Sequence, residues 1–374
     1  MSTKTFPYWW DVICHWSKQH KILKDRYCIM KSLFLLLIFA FSSFFFPVSC
    51  RAGTDVVISE KEISCRIIPI VDREYFPAAK KLIQEAEKSV SISMFVVKSG
   101  IKVDTLIKEL KNAADRGVEI RILLEDNIES NQSVIYSLNG IRNIKIKFDS
   151  PKKTTHNKII IVDENTILIG SSNWTESSLG YANEANVIIN DREIAQYFQE
   201  YLDYLWNDSS KALSPFKNFR GEIIPIIDRQ YFDTVNEMMR KATKRIFVMV
   251  YGFKLTGRRD SKGDVLADEI VKAKKRGVKT KVLLEKSDFN EQLNNMNGET
   301  IKYFKESGVE ARFDNEETIT HSKVVVIDDA VIIGATNWSY GGLELWHNTD
   351  ILIREKGIIE FFVNYFEEKF SNGG

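Results

Sequence analysis

Two kinds of apolar run alternate along this chain. Short, almost unbroken stretches at residues 90–97, 118–124 and 159–162, and again at 246–253, 278–284 and 324–327, read as strands buried on both faces. Between them apolar residues recur at helical spacing. Leu82, Ile83 and Ala86 mark one such helix and Val235, Met238 and Met239 another. Helices over 103–116 and 265–276 are each stopped by a glycine, Gly117 and Gly277. Short strands at 144–148 and 309–313 follow, and amphipathic helices at 193–205 and 357–370 close the two series. Strands alternating with helices predict an α/β layer fold.

The order of elements occurs twice. The stretch Ile67-Ile68-Pro69-Ile70-Val71-Asp72-Arg73-Glu74-Tyr75-Phe76 matches Ile223-Ile224-Pro225-Ile226-Ile227-Asp228-Arg229-Gln230-Tyr231-Phe232. A period of that size is too long for a solenoid unit and indicates a duplicated domain. The expected organisation is a targeting segment over 1–52, a first domain over 53–208, a linker over 209–218 and a second domain over 219–374.

The first segment differs in character from the rest. Residues 32–50 carry no charge, 33–46 are almost wholly Leu, Phe, Ile and Ala, and Lys18, Lys21, Lys24, Arg26 and Lys31 precede them. This is the pattern of a secretory signal, with Met30-Lys31 as an ordinary start, or of a retained membrane anchor. The apolar run is short against the ~20 residues of a full bilayer span. Export or membrane anchoring through residues 32–50 is the expectation.

Charge narrows the partners. Residues 1–52 hold seven Lys/Arg and two Asp/Glu, so the formal net charge of +1 becomes −4 for the remainder. A nucleic-acid-binding body is usually visibly basic. Of the four cysteines, Cys14, Cys28 and Cys50 lie in the targeting region, and Cys65 reads as a packing residue. That excludes a disulfide framework and a cysteine-rich metal site.

The chemistry-bearing residues sit in a pattern written twice. His156-Asn157-Lys158 leads into an apolar strand, then Asp163, then Gly170-Ser171-Ser172-Asn173-Trp174. His321-Ser322-Lys323 leads into another, then Asp328, then Gly334-Ala335-Thr336-Asn337-Trp338. A histidine and a lysine two apart point the same way from a strand. Two copies imply one site built from both: His156, Lys158 and Asn173 with His321, Lys323 and Asn337, gathered around a phosphate. Asp163 and Asp328 follow their strands at turns, where Asp caps backbone donors. His347 reads as structural. Lys152-Lys153 could guide an anion or form a solvated pair, and the basic loop with Arg258 and Arg259 is an enlarged connection. Trp174, Trp338 and Trp346 offer surfaces for acyl chains or bases, or pack in the core.

His-x-Lys, four residues, Asp, then Gly-Ser-x-Asn resembles the phospholipase D superfamily, and the resemblance runs from about Ile67 to the C-terminus. It implies two phospholipase D-like domains, each a mixed β-sheet flanked by helices, related by a pseudo-two-fold axis with the site at the seam. It implies a phosphodiesterase that hydrolyses or transfers the distal phosphodiester of a phospholipid through a phospho-histidine, without metal or other cofactor. It also implies a carboxylate beyond the asparagine that fixes a histidine tautomer. Glu184 is the candidate in the first copy; Asn348, with Asp350 close by, stands at the matching place in the second. On that basis His156 is expected to be the nucleophile, oriented by Glu184, and His321 the acid. Ser171 is expected to bond in the site or shape its turn. Ala335, in place of the second serine, departs from the pattern. The expected partner is phospholipid at a membrane surface, met by a monomer that carries both halves of its site. A metal-independent nuclease of the same superfamily is the alternative, and a non-catalytic lipid-binding protein a third.

Overall fold

The computed structural model describes residues 66–210 and 219–374. The targeting segment, all four cysteines and residues 211–218 of the expected linker lie outside the described residues. In the first half the strands are β1 (Ile67–Val71), β2 (Ser89–Met94), β3 (Glu119–Leu124), β4 (Ile144–Phe148), β5 (Lys158–Val162), β6 (Thr166–Gly170) and β7 (Ala185–Asn190). The helices are α1 (Tyr75–Glu85), α2 (Ile101–Asp115), α3 (Glu129–Leu138), α4 (Glu176–Gly180) and α5 (Arg192–Asp208). The second half repeats the series. Its strands are β8 (Ile223–Ile227), β9 (Arg245–Val250), β10 (Lys279–Leu284), β11 (Glu310–Phe313), β12 (Val324–Ile327), β13 (Ala330–Gly334) and β14 (Thr349–Ile353). Its helices are α6 (Gln230–Lys241), α7 (Lys262–Lys275), α8 (Glu291–Glu306) and α9 (Lys356–Asn372). A wider, π-type turn over Gly341–Leu345 replaces α4. Among the described residues no helix is long and apolar enough to cross a membrane.

Each half holds one seven-stranded mixed sheet, ordered β1-β7-β6-β5-β2-β3-β4 and β8-β14-β13-β12-β9-β10-β11. The order is the same in both. β2, β3 and β4 run parallel, as do β9, β10 and β11, and helices make those crossovers. The remaining pairings are antiparallel, and tight turns join β5 to β6 and β12 to β13, so a hairpin carries each motif.

The unbroken apolar strands are explained by where their two faces go. Ile159, Ile161, Ile167, Ile169, Val187 and Ile189 face one core; Ile160, Val162, Leu168 and Ile188 face another, under α1 and α2. The first of these cores is shared. Val324, Val326, Val331, Ile333, Ile351 and Ile353 of the second half enter the same cluster, together with apolar residues of α5 and α9. The two sheets therefore pack through a common core, and each closing helix lies at the seam. At ~1.5–3 kcal/mol per fully buried aliphatic side chain, this shared layer is the main force joining the halves.

Candidate functional site

Both histidines lie just before the strands, not on them. Lys158 opens β5 and Val324 opens β12. What holds these approach segments extended is the opposite half. The His156 amide donates to the His347 carbonyl (2.8 Å) and the His347 amide to the Thr154 carbonyl (2.9 Å). Reciprocally, the His321 amide donates to the Asn183 carbonyl (2.9 Å) and the Asn183 amide to the Ile319 carbonyl (2.7 Å). This exchange has the form of a two-fold contact within one chain.

The side chains cross the same seam. The sequence expectation that Glu184 orients His156 is not met. The Glu184 carboxylate meets Nδ1 of His321 in the other half, at 3.0 and 3.1 Å. Nδ1 of His156 meets Oδ1 of Asn348, at 3.1 Å. The correction has a simple physical basis. β7 and β14 lie where the sheets pack together, so the residue just before each strand sends its side chain into the partner's motif. Asp350 does not reach a histidine; it accepts from the Thr336 amide (3.1 Å) and hydroxyl (2.6 Å).

Ala335 follows from this pairing. The buried Glu184 carboxylate needs donors beyond the imidazole, and receives them from the Ser171 and Ser178 hydroxyls. The matching positions in the second half are Ala335 and Gly342. There the partner is an amide, which carries its own donors and gives one to the Gly342 carbonyl (3.1 Å). A hydroxyl is present where the carboxylate is and absent where it is not. The motif glycines serve the same turn. A Cβ on Gly170 or Gly334 would collide with Asn186 or Asp350 on the neighbouring strand.

Lys158 and Lys323 are buried, and each ammonium donates to the carbonyl of its own histidine, Lys158 at 2.8 Å and Lys323 at 2.5 Å. Burial pushes both lysines down, Lys323 to about 7, and Lys158 is further depressed by Lys323. Burial, then the Lys158, Lys323 and His321 charges, hold His156 well below the ordinary imidazole value. Burial also lowers His321, but the Glu184 carboxylate opposes it. Burial alone would raise Glu184; the positive charges of His321 and Lys323 bring it below its usual value. Four basic side chains thus crowd one buried carboxylate, and an anion bound among them would favour their protonated forms. Asn173 and Asn337 stand in corresponding turns, and Oδ1 of each is buried without a protein partner. Phe95 and Trp346 flank the His156 ring, with centroids at 4.5 and 5.1 Å, and Tyr251 lies at 5.1 Å from His321.

Other expected residues take supporting or structural places. The Asp163 carboxylate accepts from the Glu87, Lys88 and Ser89 amides, and Asp328 from those of Thr243, Lys244 and Arg245. Each ties the hairpin to the start of the adjacent strand, at the end of the hairpin remote from the histidine. Trp174 and Trp338 are fully buried and donate to the Tyr75 and Tyr231 hydroxyls (3.2 and 3.0 Å), so only Trp346 is at the site. His347 is structural, held by Asp228 (2.9 Å) and the Ser209 carbonyl (2.9 Å). Lys153 lies 3.8 Å from Asp228 across the seam instead of lining an entrance. Arg258 is exposed and paired with Asp260.

The sequence reading missed the buttresses of the seam. Asp72 accepts from the Tyr365 hydroxyl (2.6 Å) and the Glu184 amide (3.0 Å); Asp228 accepts from the Tyr201 hydroxyl (2.6 Å) and the Asn348 amide (3.1 Å). Glu125 with Asp149, and Glu285 with Asp314, form buried carboxyl pairs. Glu125 and Glu285 receive the Thr155 and Thr320 amides (2.6 and 2.5 Å), each one residue before a histidine. Burial first, then the neighbouring aspartate, pushes Glu125 up to about 7 and Glu285 to about 9. The repeat itself was the available signal, since Asp72 and Asp228 stand in the matched opening stretch. Among the described residues no group of three or more His, Cys, Asp or Glu is arranged to hold a metal ion.

The fold and these paired sets define a duplicated α/β protein whose polar centre is shared by its two halves. A family model described as "Cardiolipin synthase, PLD-like domain" matches residues 79–206 and 235–370. The chain belongs to this PLD-like domain family of the phospholipase D superfamily. It is 32% identical over 124 residues to a phospholipase D of Rickettsia prowazekii, a match covering 33% of this chain and 60% of that one. It is 25% identical over 173 residues to the mitochondrial cardiolipin hydrolase of Xenopus tropicalis, covering 46% and 79%. The fold resembles the crystal structure of phosphatidylserine synthase from Haemophilus influenzae, with a TM-score of 0.65 at 12% identity over 83% of this chain and 87% of that one. The chain thus spans less than two thirds of the Rickettsia relative.

Proposed function

We propose that this protein is a phosphodiesterase acting on phospholipids through a phospho-histidine, with His156 as nucleophile and His321 as acid and then base. The observation that carries the reading is the unequal pairing of two imidazoles at one seam. A nucleophile must be neutral with a fixed tautomer. His156, donating Nδ1–H to the Asn348 amide oxygen and disfavoured as a cation, meets that need and keeps the Nε2 lone pair for phosphorus. The acid must hold a proton, and the Glu184 carboxylate favours that at His321. The roles match those expected from the sequence; the reason for them is reversed.

In the first step Nε2 of His156 bonds to phosphorus, the bond to the leaving oxygen breaks, and His321 gives that oxygen its proton. In the second, neutral His321 takes a proton from water or an alcohol, whose oxygen bonds to phosphorus as the P–N bond breaks. Lys158 and Lys323, with Asn173 and Asn337, stabilise the phosphoryl oxygens. The bound diester adds negative charge to the cluster and favours protonation of His321. A phospholipid substrate is supported by the names of the family model and of the phospholipase D and cardiolipin hydrolase relatives, and by a body without net positive charge.

The test offers the full chain labelled phosphatidylcholine, cardiolipin and single-stranded DNA side by side in EDTA. Lipid turnover is expected, with His156→Ala and His321→Ala each lowering it by at least about 10³-fold at unchanged melting temperature. Acid-labile phosphoryl label is expected on His156; label on His321 would reverse the roles. Cleavage of DNA alone would replace the lipid reading.

A further inference from the structure

In each half the chain leaves the motif at Asn-Trp, makes one short turn, and returns to the seam. In the first half the turn is α4, between Asn173-Trp174 and Asn183-Glu184. In the second it is the π-type turn, between Asn337-Trp338 and His347-Asn348. Both ends of each turn are fixed, by a core tryptophan and by a seam hydrogen bond, and each turn lies against the site: Trp346 flanks His156, and the Ser178 hydroxyl donates to Glu184. Apart from Ser177, the exposed side chains of the two turns are large and mainly apolar. Tyr181 is 66% exposed, Tyr340 61% and Leu345 42%. Tyr181 and Leu345 occupy corresponding positions, each two residues before the residue that bridges the seam. Ile101, 84% exposed, joins the first turn: the Lys102 amide after it donates to the Glu176 carboxylate (2.7 Å) and the Lys102 ammonium to the Leu179 carbonyl (2.9 Å).

Three of the seven exposed large apolar side chains among the described residues therefore stand on these two turns and a fourth, Ile101 at the start of α2, is tied to the first of them; Tyr136, Phe289 and Phe361 are the others. Scattered exposed apolar residues need no explanation, but a grouping on both sides of a reactive seam does. We propose that Ile101, Tyr181, Tyr340 and Leu345 form a two-sided rim that seats the mouth of the site on a phospholipid bilayer. The proposal rests on the lipid reading of that site. Two apolar ridges with a polar cleft between them match a bilayer surface, where side chains of this kind enter the acyl boundary and tyrosines sit at headgroup level. A protein covering both ridges would also close the cleft. Of the exposed cations in the neighbouring loops, Lys98, Lys254, Arg258 and Arg259, Arg258 is paired with Asp260; on this proposal apolar insertion supplies the attachment and salt weakens it little.

The test follows hydrogen exchange of the full chain with phosphatidylcholine vesicles, with and without phosphatidylglycerol. Peptides covering residues 98–103, 176–182 and 340–346 are expected to gain protection in both, and the peptide around Tyr136 none. A variant carrying Ile101→Ser, Tyr181→Ser, Tyr340→Ser and Leu345→Ser is expected to lower the ratio of vesicle turnover to turnover of soluble bis(p-nitrophenyl) phosphate by at least about tenfold. Tyr136→Ser is expected to leave that ratio alone. Unprotected rim peptides, an unmoved ratio, or protection by single-stranded DNA in place of vesicles would overturn the rim. Failure to cleave the soluble diester would instead remove the catalytic reading.

Discussion

Glu184 and Asn348 stand at matching positions and differ by one charge, and that charge is the basis for the different tasks proposed for the two imidazoles. Replacing Glu184 by Gln keeps an acceptor near Nδ1 of His321 and removes the charge that opposes burial. The cation of His321 is then less favoured, so its pKa falls. In the proposed mechanism the rate depends on protonated His321 in the first step. The alkaline limb of the kcat profile is therefore expected to move toward acid, with a loss of about 10²-fold or more at neutral pH. An unmoved limb would mean that His321 is not the acid. At this scale the sequence disclosed the six His, Lys and Asn residues, because spacing within a motif is local. It could not disclose which half a glutamate serves, because distance along the chain says nothing about a seam. A faint signal was present: hydroxyls at 171 and 178, but Ala and Gly at 335 and 342.

Each motif is a hairpin anchored at its two ends by different means. At the far end Asp163 gathers three backbone amides from the turn before β2, and Asp328 does so before β9. At the near end a buried glutamate takes the amide before each histidine. Asp163→Ala is expected to destabilise by about 1–3 kcal/mol through lost hydrogen bonds, read as a fall in melting temperature. Turnover per folded molecule should stay close to that of the parent. A large loss of turnover without a stability change would give Asp163 a role in the chemistry. The turn-capping part of this was readable, since Asp at a strand end is a local signal. The near-end clamp was not, because Glu125 and Glu285 sit at ends of parallel strands whose partners are set only by sheet order. The same limit applies to strand register. Continuous apolar runs located β5 and β12, but placed the histidines on ladders that begin two and three residues later.

At the scale of the molecule the duplication is structural as well as chemical, because neither sheet owns its inner face. The closing helices α5 and α9 read as ordinary amphipathic helices, and nothing in their period told that they line a core common to both halves. Separating the halves would expose the aliphatic faces of both sheets together with the buried polar ties from Tyr201 to Asp228 and from Tyr365 to Asp72. The expectation is a single unfolding transition. Ile351→Ala, in β14 beside the opposing sheet, should cost about 2–5 kcal/mol, and the loss should be felt in both halves at once. Hydrogen exchange checks this directly: amides of β5 and β6 should lose protection together with those of β12 and β13, although the substitution lies in the second half only. If the second half alone were loosened, the shared core would not be what couples the halves. The two histidines would then depend for their approach on the four seam hydrogen bonds by themselves.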